Sequence, residues 1–246
     1  MGSDIALFAA IGFFAQMVDG TLGMAFGVIS SSSLIAFGAP PAIASAAVHA
    51  AEVATTSLSG ASHVWHRNVN FRLFGQLTAA GVAGGVVGAY ILTGLPEAII
   101  KPVVTVYLTC MAVLIFARVL GRVRRQWKPP TPVLGAGGAF LDAIGGGGWG
   151  PIVASTLIAT GDEPRRSIGS VNLAEFFVTV AISITFLLHL DLASYGRIVL
   201  GLVIGGALAA PLAGWLIRVI PPRAALLLVG TVVGSLSAMN LIRLFY

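Results

Sequence analysis

The sequence predicts an all-α, polytopic membrane protein of two inverted repeats, each a glycine-broken helical hairpin followed by three transmembrane helices. Three observations lead there: an apolar composition, six apolar stretches of bilayer length, and an internal repeat that carries two acids in each copy. Of 246 residues, 57% are hydrophobic and 9% charged, with a mean hydropathy of +0.96, which leaves too little polar surface to clothe a soluble globule. A formal charge of +5 does not signal nucleic acid, because the basic residues sit in short gaps between apolar runs and read as a topology signal. The lone Cys110 excludes an internal disulfide and a multi-cysteine metal site. Residues Met1 to Asp4 carry no basic leader region, so a cleaved secretory signal is not expected.

A helix crossing the hydrocarbon core needs roughly 20 residues at about 1.5 Å rise each. Stretches of that length lie near 42–66, 72–93, 97–119, 166–189, 194–217 and 222–244. Two further apolar regions, 4–38 and 133–160, are too long for one span, and glycine interrupts each near its middle. The first break runs from Asp19 through Gly23 to Gly27, the second from Asp142 through Gly145, Gly146, Gly147 and Gly148 to Trp149 and Gly150. Glycine costs a helix about 1 kcal/mol per residue, so four in a row should end one.

The two breaks are copies of one another. A shift of 123 positions aligns 19–56 with 142–179 without a gap, matching Asp19 with Asp142, Gly23 with Gly146, Gly27 with Gly150, Pro41 with Pro164 and Glu52 with Glu175. A shift of 125 then pairs Tyr90 with Trp215, Pro96 with Pro221 and Arg118 with Arg243. The chain therefore divides into an N-terminal repeat, 1–120, a basic cytoplasmic linker, 121–132, and a C-terminal repeat, 133–246, within one membrane domain. Basic residues choose the topology. If each broken region is a hairpin, 11 of the 14 Lys and Arg residues share the side of the linker, against nine if each is a single span. Hairpins give each half an odd number of crossings, and the halves are then inverted with both termini outside.

Every Lys and Arg falls at a loop or helix end, whereas Asp19, Glu52, Asp142 and Glu175 fall inside the membrane-embedded copies. An ionisable group at the bilayer centre costs at least about 2.5–3.5 kcal/mol on insertion scales, so these four are candidates for proton coupling. Asp19 and Asp142 read equally well as caps on broken helices. Around Glu52, Ser45, His49, Thr56, Ser59, His63 and His66 recur at spacings of four and three, forming one polar face. His49 and Glu52 stand at i, i+3 and form a candidate proton-sharing pair. A metal site needs more ligands than this pair supplies, and neither metal nor cofactor is expected. Where a helix stops inside the membrane, its N-terminal N–H groups seat an anion without a buried cation, and matched broken helices point to a transporter's substrate site. The candidate substrate-binding residues are accordingly Gly23, Gly27, His49, Gly146, Gly147, Gly148, Trp149, Gly150 and Asn172.

The Asp19–Gly23–Gly27 break, the Pro41 turn, the polar helix ending in His66-Arg67-Asn68-Val69-Asn70 and the run Gly145-Gly146-Gly147-Gly148-Trp149-Gly150-Pro151 together resemble the TauE/SafE sulfite exporter family over nearly the whole chain. The first break is poorer in glycine than is usual in that family. The resemblance implies a multi-pass protein of the bacterial inner membrane that carries sulfite, a sulfonate, sulfoacetate or another organic anion. The expected mechanism is proton-coupled alternating access, with a small anion, protons and the lipid bilayer as partners and room for a homodimer. A cation carrier using the four acids is the alternative. An enzyme is not expected, since no protease motif surrounds the serines and histidines.

Overall fold

The structure is a computed structural model that describes residues 5–22, 24–121, 128–216 and 222–245. Gly23 and most of the basic linker lie outside the described residues. Among the described residues ten α-helices follow in order: α1 (Ile5–Leu22), α2 (Phe26–Ala36), α3 (Pro41–Trp65), α4 (Phe71–Gly94), α5 (Glu97–Val119), α6 (Thr131–Gly145), α7 (Ser155–Ala159), α8 (Pro164–His189), α9 (Gly196–Leu216) and α10 (Pro222–Phe245). A π-helical turn, Gly150–Ala154, leads into α7, and a 3-10 turn, Leu192–Ser194, precedes α9. Helices α3, α4, α5, α8, α9 and α10 fill the six stretches expected from the sequence. Among the described residues, α4, α5, α8 and the Leu226–Arg243 part of α10 are long and apolar enough to cross a membrane. The polar face of α3 explains why it is absent from that group.

Local sequence sets the ends of these helices. Proline sits in the first turn of α3, α6 and α8, where its missing N–H has no helical partner to lose. Asn70 caps α4 by accepting from the N–H groups of Arg72 and Leu73, and Glu163 caps α8 by accepting from those of Arg165 and Arg166. Helix α6 stops where the glycine run begins. Gly146 adopts the left-handed conformation, with φ of 66°, and its N–H donates to the Asp142 carbonyl at 2.7 Å.

Matched helices pack in matched ways. A Cβ added at Gly12 of α1 would lie 2.4 Å from the Leu202 carbonyl oxygen of α9, and one at Gly135 of α6 would lie 3.1 Å from that of Leu77 on α4. Gly12 and Gly135 are 123 positions apart and Leu77 and Leu202 are 125 apart, so the same close contact between the halves, a glycine of one against a leucine of the other, is built twice. Further along, Gly201 meets Phe8 and Gly205 meets Ala9 and Phe13, so α1 and α9 run parallel; Gly84 meets Ala136 and Gly88 meets Phe140, so α4 and α6 do too. Helices α3 and α8 run antiparallel, since Gly60 abuts Leu173 while His49 stacks near Phe186. In α5 and α10 the order is likewise reversed, with Gly230 against Ile115 and Phe116 and Gly234 against Ala112. The shared core contains Leu77, Trp149, Ile182, Phe186 and Leu202, all fully buried.

Candidate functional site

Both helix breaks end at the same place. A Cβ on Gly27 would sit 2.7 Å from Gly147 Cα, 2.9 Å from the Gly146 carbonyl oxygen and 2.9 Å from Glu52 Oε1. Real Cβ contacts are not that short, so the crossing of the two chains requires glycine at Gly27. Ser31 fastens it by donating to the Gly146 carbonyl at 2.5 Å, and Tyr107 of α5 donates to the Gly147 carbonyl at 2.9 Å.

Asp19 and Asp142 each hold a break closed. Asp19 Oδ1 accepts from the N–H of Ala25 at 2.7 Å and of Phe26 at 3.1 Å. Asp142 Oδ1 accepts from the Trp149 N–H, also at 3.1 Å, and Trp149 is the repeat counterpart of Phe26. Each carboxylate therefore satisfies orphan N–H groups of the helix beyond its own break. Asp142 has a second partner: its Oδ2 lies 3.2 Å from His49 Nε2. His49 Nδ1 lies 2.9 Å from the Ser45 carbonyl, which only accepts, so Nδ1 carries a proton. The contact with Asp142 then holds one further proton, resting on either partner.

This pairing corrects the sequence reading of His49 with Glu52. The i, i+3 spacing places them on neighbouring parts of α3, but the imidazole turns to the other half of the molecule. Glu52 is left with Oε2 buried and without a hydrogen-bond partner, while Thr56 donates to its backbone carbonyl at 2.6 Å.

Beside the crossing lies a cavity of about 460 Å³. Its lining includes Gly27, Gly147, Gly148 and Asn172 from the expected binding set, and all four acids, Asp19, Glu52, Asp142 and Glu175. It therefore draws repeat-matched carboxylates from both halves into one space. Other expected residues lie outside it. His49 is fully buried against Asp142, and Gly146 and Gly150 belong to the frame of the break. Trp149 is fully buried too, its indole N–H donating to the Val171 carbonyl at 3.1 Å, which makes it a packing anchor rather than a wall of the cavity.

The structure adds Gln16, Met24, Phe26, Thr55, Ser59 and His63 to the lining. Gln16 had a local signal, one helical turn before Asp19, whereas Tyr107 had none beyond a hydroxyl in an apolar span. Asn172 donates to Ser59 Oγ at 3.1 Å and lies 3.2 Å from His63 Nε2, tying α8 to α3 at the end of the cavity nearer the Arg67 loop. Among the described residues, the lining contains no lysine or arginine. Nor do three His, Cys, Asp or Glu side chains among them form a group that could hold a metal ion.

A helical bundle with broken helices around a polar cavity defines a polytopic membrane protein of the transporter class. The model for the sulfite exporter TauE/SafE family matches residues 8–241, and the chain belongs to that family. A probable membrane transporter protein, YtnM of Bacillus subtilis (strain 168), is 39% identical over 252 residues, covering 97% of this chain and 83% of its own. No solved structure matches.

Proposed function

We propose that the chain is a secondary transporter of a sulfur-containing or organic anion, of the sulfite, sulfonate or sulfoacetate class, working by proton-coupled alternating access between inverted repeats. The observation that carries this reading is the single cavity at which both helix breaks meet, lined by Asp19 and Asp142 and by Glu52 and Glu175. Inversion is supported by the helix directions: α3 and α8, and α5 and α10, are repeat counterparts and run antiparallel. Family membership supports the substrate class.

In this mechanism Gly27, Gly147 and Gly148 bring backbone close to the bound anion, and Asn172 exchanges its Ser59 and His63 partners for the anion. Glu52 and Glu175 carry the coupling protons, because an anion beside four carboxylates is repelled until protons neutralise some of them. Asp19 and Asp142 keep the breaks shaped. Proteoliposomes with an imposed pH gradient test the assignment, using sulfite and sulfoacetate as substrates. Both Glu52→Gln and Glu175→Gln are expected to abolish gradient-driven accumulation while leaving the protein folded; accumulation at the unaltered rate in both would remove the two glutamates from the mechanism.

The lack of lysine and arginine in the described lining favours one alternative, a cation carrier with the carboxylates as ligands. Thermal shift of the purified protein separates the two: sulfite or sulfoacetate stabilises an anion carrier, whereas a cation carrier responds to a cation and to neither anion.

A further inference from the structure

Arg118, near the end of α5, stands directly behind the wall of the central cavity. Its guanidinium donates to the Pro151 carbonyl, and its Nη1 lies 3.7 Å from the Met24 sulfur. Met24 and Pro151 both line the central cavity. A smaller cavity, of about 220 Å³, shares Pro151 with the central one and is lined also by Arg118, Ser155 and Thr156. Arg118 is half-buried and, among the described residues, forms no ion pair.

A guanidinium held by one carbonyl and one thioether has donors to spare. Thioether sulfur is a weak acceptor, and a charge-assisted bond to an oxyanion is roughly twice as strong as a neutral one. Methionine has three rotatable side-chain bonds, so Met24 is a partition that can turn aside. The Ser155 hydroxyl is also loosely held, with only long contacts, 3.4 Å to the Gly150 carbonyl and 3.8 Å to the Met24 sulfur. Moving Met24 would open the central cavity to both groups.

The repeat shows that this placement is peculiar to Arg118. Its counterpart, Arg243, is exposed and donates to the Ala36 carbonyl at the end of α2. Ala36 corresponds to Ala159, at the end of α7, so an arginine placed by the repeat alone would reach Ala159. Arg118 instead reaches Pro151, about two helical turns nearer the break.

We propose that Arg118 binds the transported anion directly, its guanidinium and the Ser155 hydroxyl taking the oxygens of a sulfite or sulfonate group once Met24 turns aside. The proposal rests on the anion-carrier reading above and supplies the cation that the described lining of the central cavity lacks. A planar guanidinium suits a group that carries several oxygens on one centre. The smaller cavity has room for such a group, since a water takes only about 30 Å³ in the liquid.

Thermal shift of the purified full chain, titrated with sulfite and with sulfoacetate to give a Kd, tests this. Wild type and Arg243→Gln are expected to bind with equal affinity. Arg118→Gln should weaken both anions about tenfold or more, the loss of one charged hydrogen bond, and Arg118→Lys should recover part of that. Ser155→Ala should weaken binding about threefold while leaving the Arg118 bond to Pro151 in place, and it decides the matter if Arg118→Gln does not fold. Wild-type affinity in Arg118→Gln, or in Ser155→Ala where Arg118→Gln does not fold, overturns the proposal and leaves the anion reading standing. Equal weakening by Arg243→Gln also overturns it, because the effect is then diffuse charge rather than a site. A wild-type protein that neither anion stabilises overturns both.

Discussion

Asp142 joins two demands that Asp19 meets singly. Both carboxylates accept an N–H from the helix beyond the break, but only Asp142, 2% exposed, also faces a buried histidine. Losing a cap costs about 1 kcal/mol, and leaving the buried His49 without its partner adds about 1–3 kcal/mol more. Asp142→Ala should therefore lower the unfolding temperature in detergent clearly more than Asp19→Ala, and His49→Ala should resemble Asp142→Ala. Equal shifts for the two aspartates would show that the His49 contact adds nothing. The capping role was legible in the sequence, since each Asp stands at a glycine break where the next helix presents unpaired N–H groups; the donors prove to be Phe26 and Trp149, each seven residues on. The histidine contact was not, because it joins residues 93 positions apart and leaves no trace in local spacing. For the same reason Glu52, the nearest acid in sequence, was the wrong partner to expect.

At the scale of the elements, the glycine runs announced where helices would stop and the repeat announced that they would stop twice. What stayed hidden was the crossing itself: Gly27 against Gly147 fixes how near the two tips approach, and only the packed halves reveal it. Gly27→Ala places a methyl 2.7 Å from Gly147 Cα and 2.9 Å from Glu52 Oε1, so the tips must separate. Overpacking of this kind typically costs about 1–3 kcal/mol, which a bundle this size survives. The variant should keep its helical circular dichroism and lose the gradient-driven accumulation proposed for the wild type. A variant transporting at the wild-type rate would mean that the tips move apart freely and that their contact is not part of the working site. Tyr107→Phe probes the same crossing from α5 by deleting its bond to the Gly147 carbonyl, at an expected cost of about 1 kcal/mol in stability. Its ring remains in place against Gly145, so the loss reports the hydroxyl alone.

Over the whole molecule, the directions of the helices and the distribution of charge make one joint prediction about the membrane. Helices α3 and α8 are antiparallel counterparts, so the loop after α3 and the loop before α8 lie at the same end, tied by Arg165 donating to Asn68 Oδ1 at 2.6 Å. That end also carries Arg67, Arg72, Lys128 and Arg166, the concentration of cations that marks a cytoplasmic face. The 3-10 turn between α8 and α9 lies at the far end of α8 and carries Asp191 with no neighbouring lysine or arginine before Arg197. Exposed Ser62 near the end of α3 and exposed Ser194 in the 3-10 turn should consequently face opposite compartments. In a Cys110→Ser background, a membrane-impermeant maleimide applied to intact cells should label Ser194→Cys at once and Ser62→Cys only after the membrane is permeabilised. The reverse pattern would leave the antiparallel pairing of α3 and α8 intact and overturn its orientation. Labelling of both from one side is incompatible with α8 crossing the bilayer, and with it the pairing of α3 and α8 on which the central cavity depends.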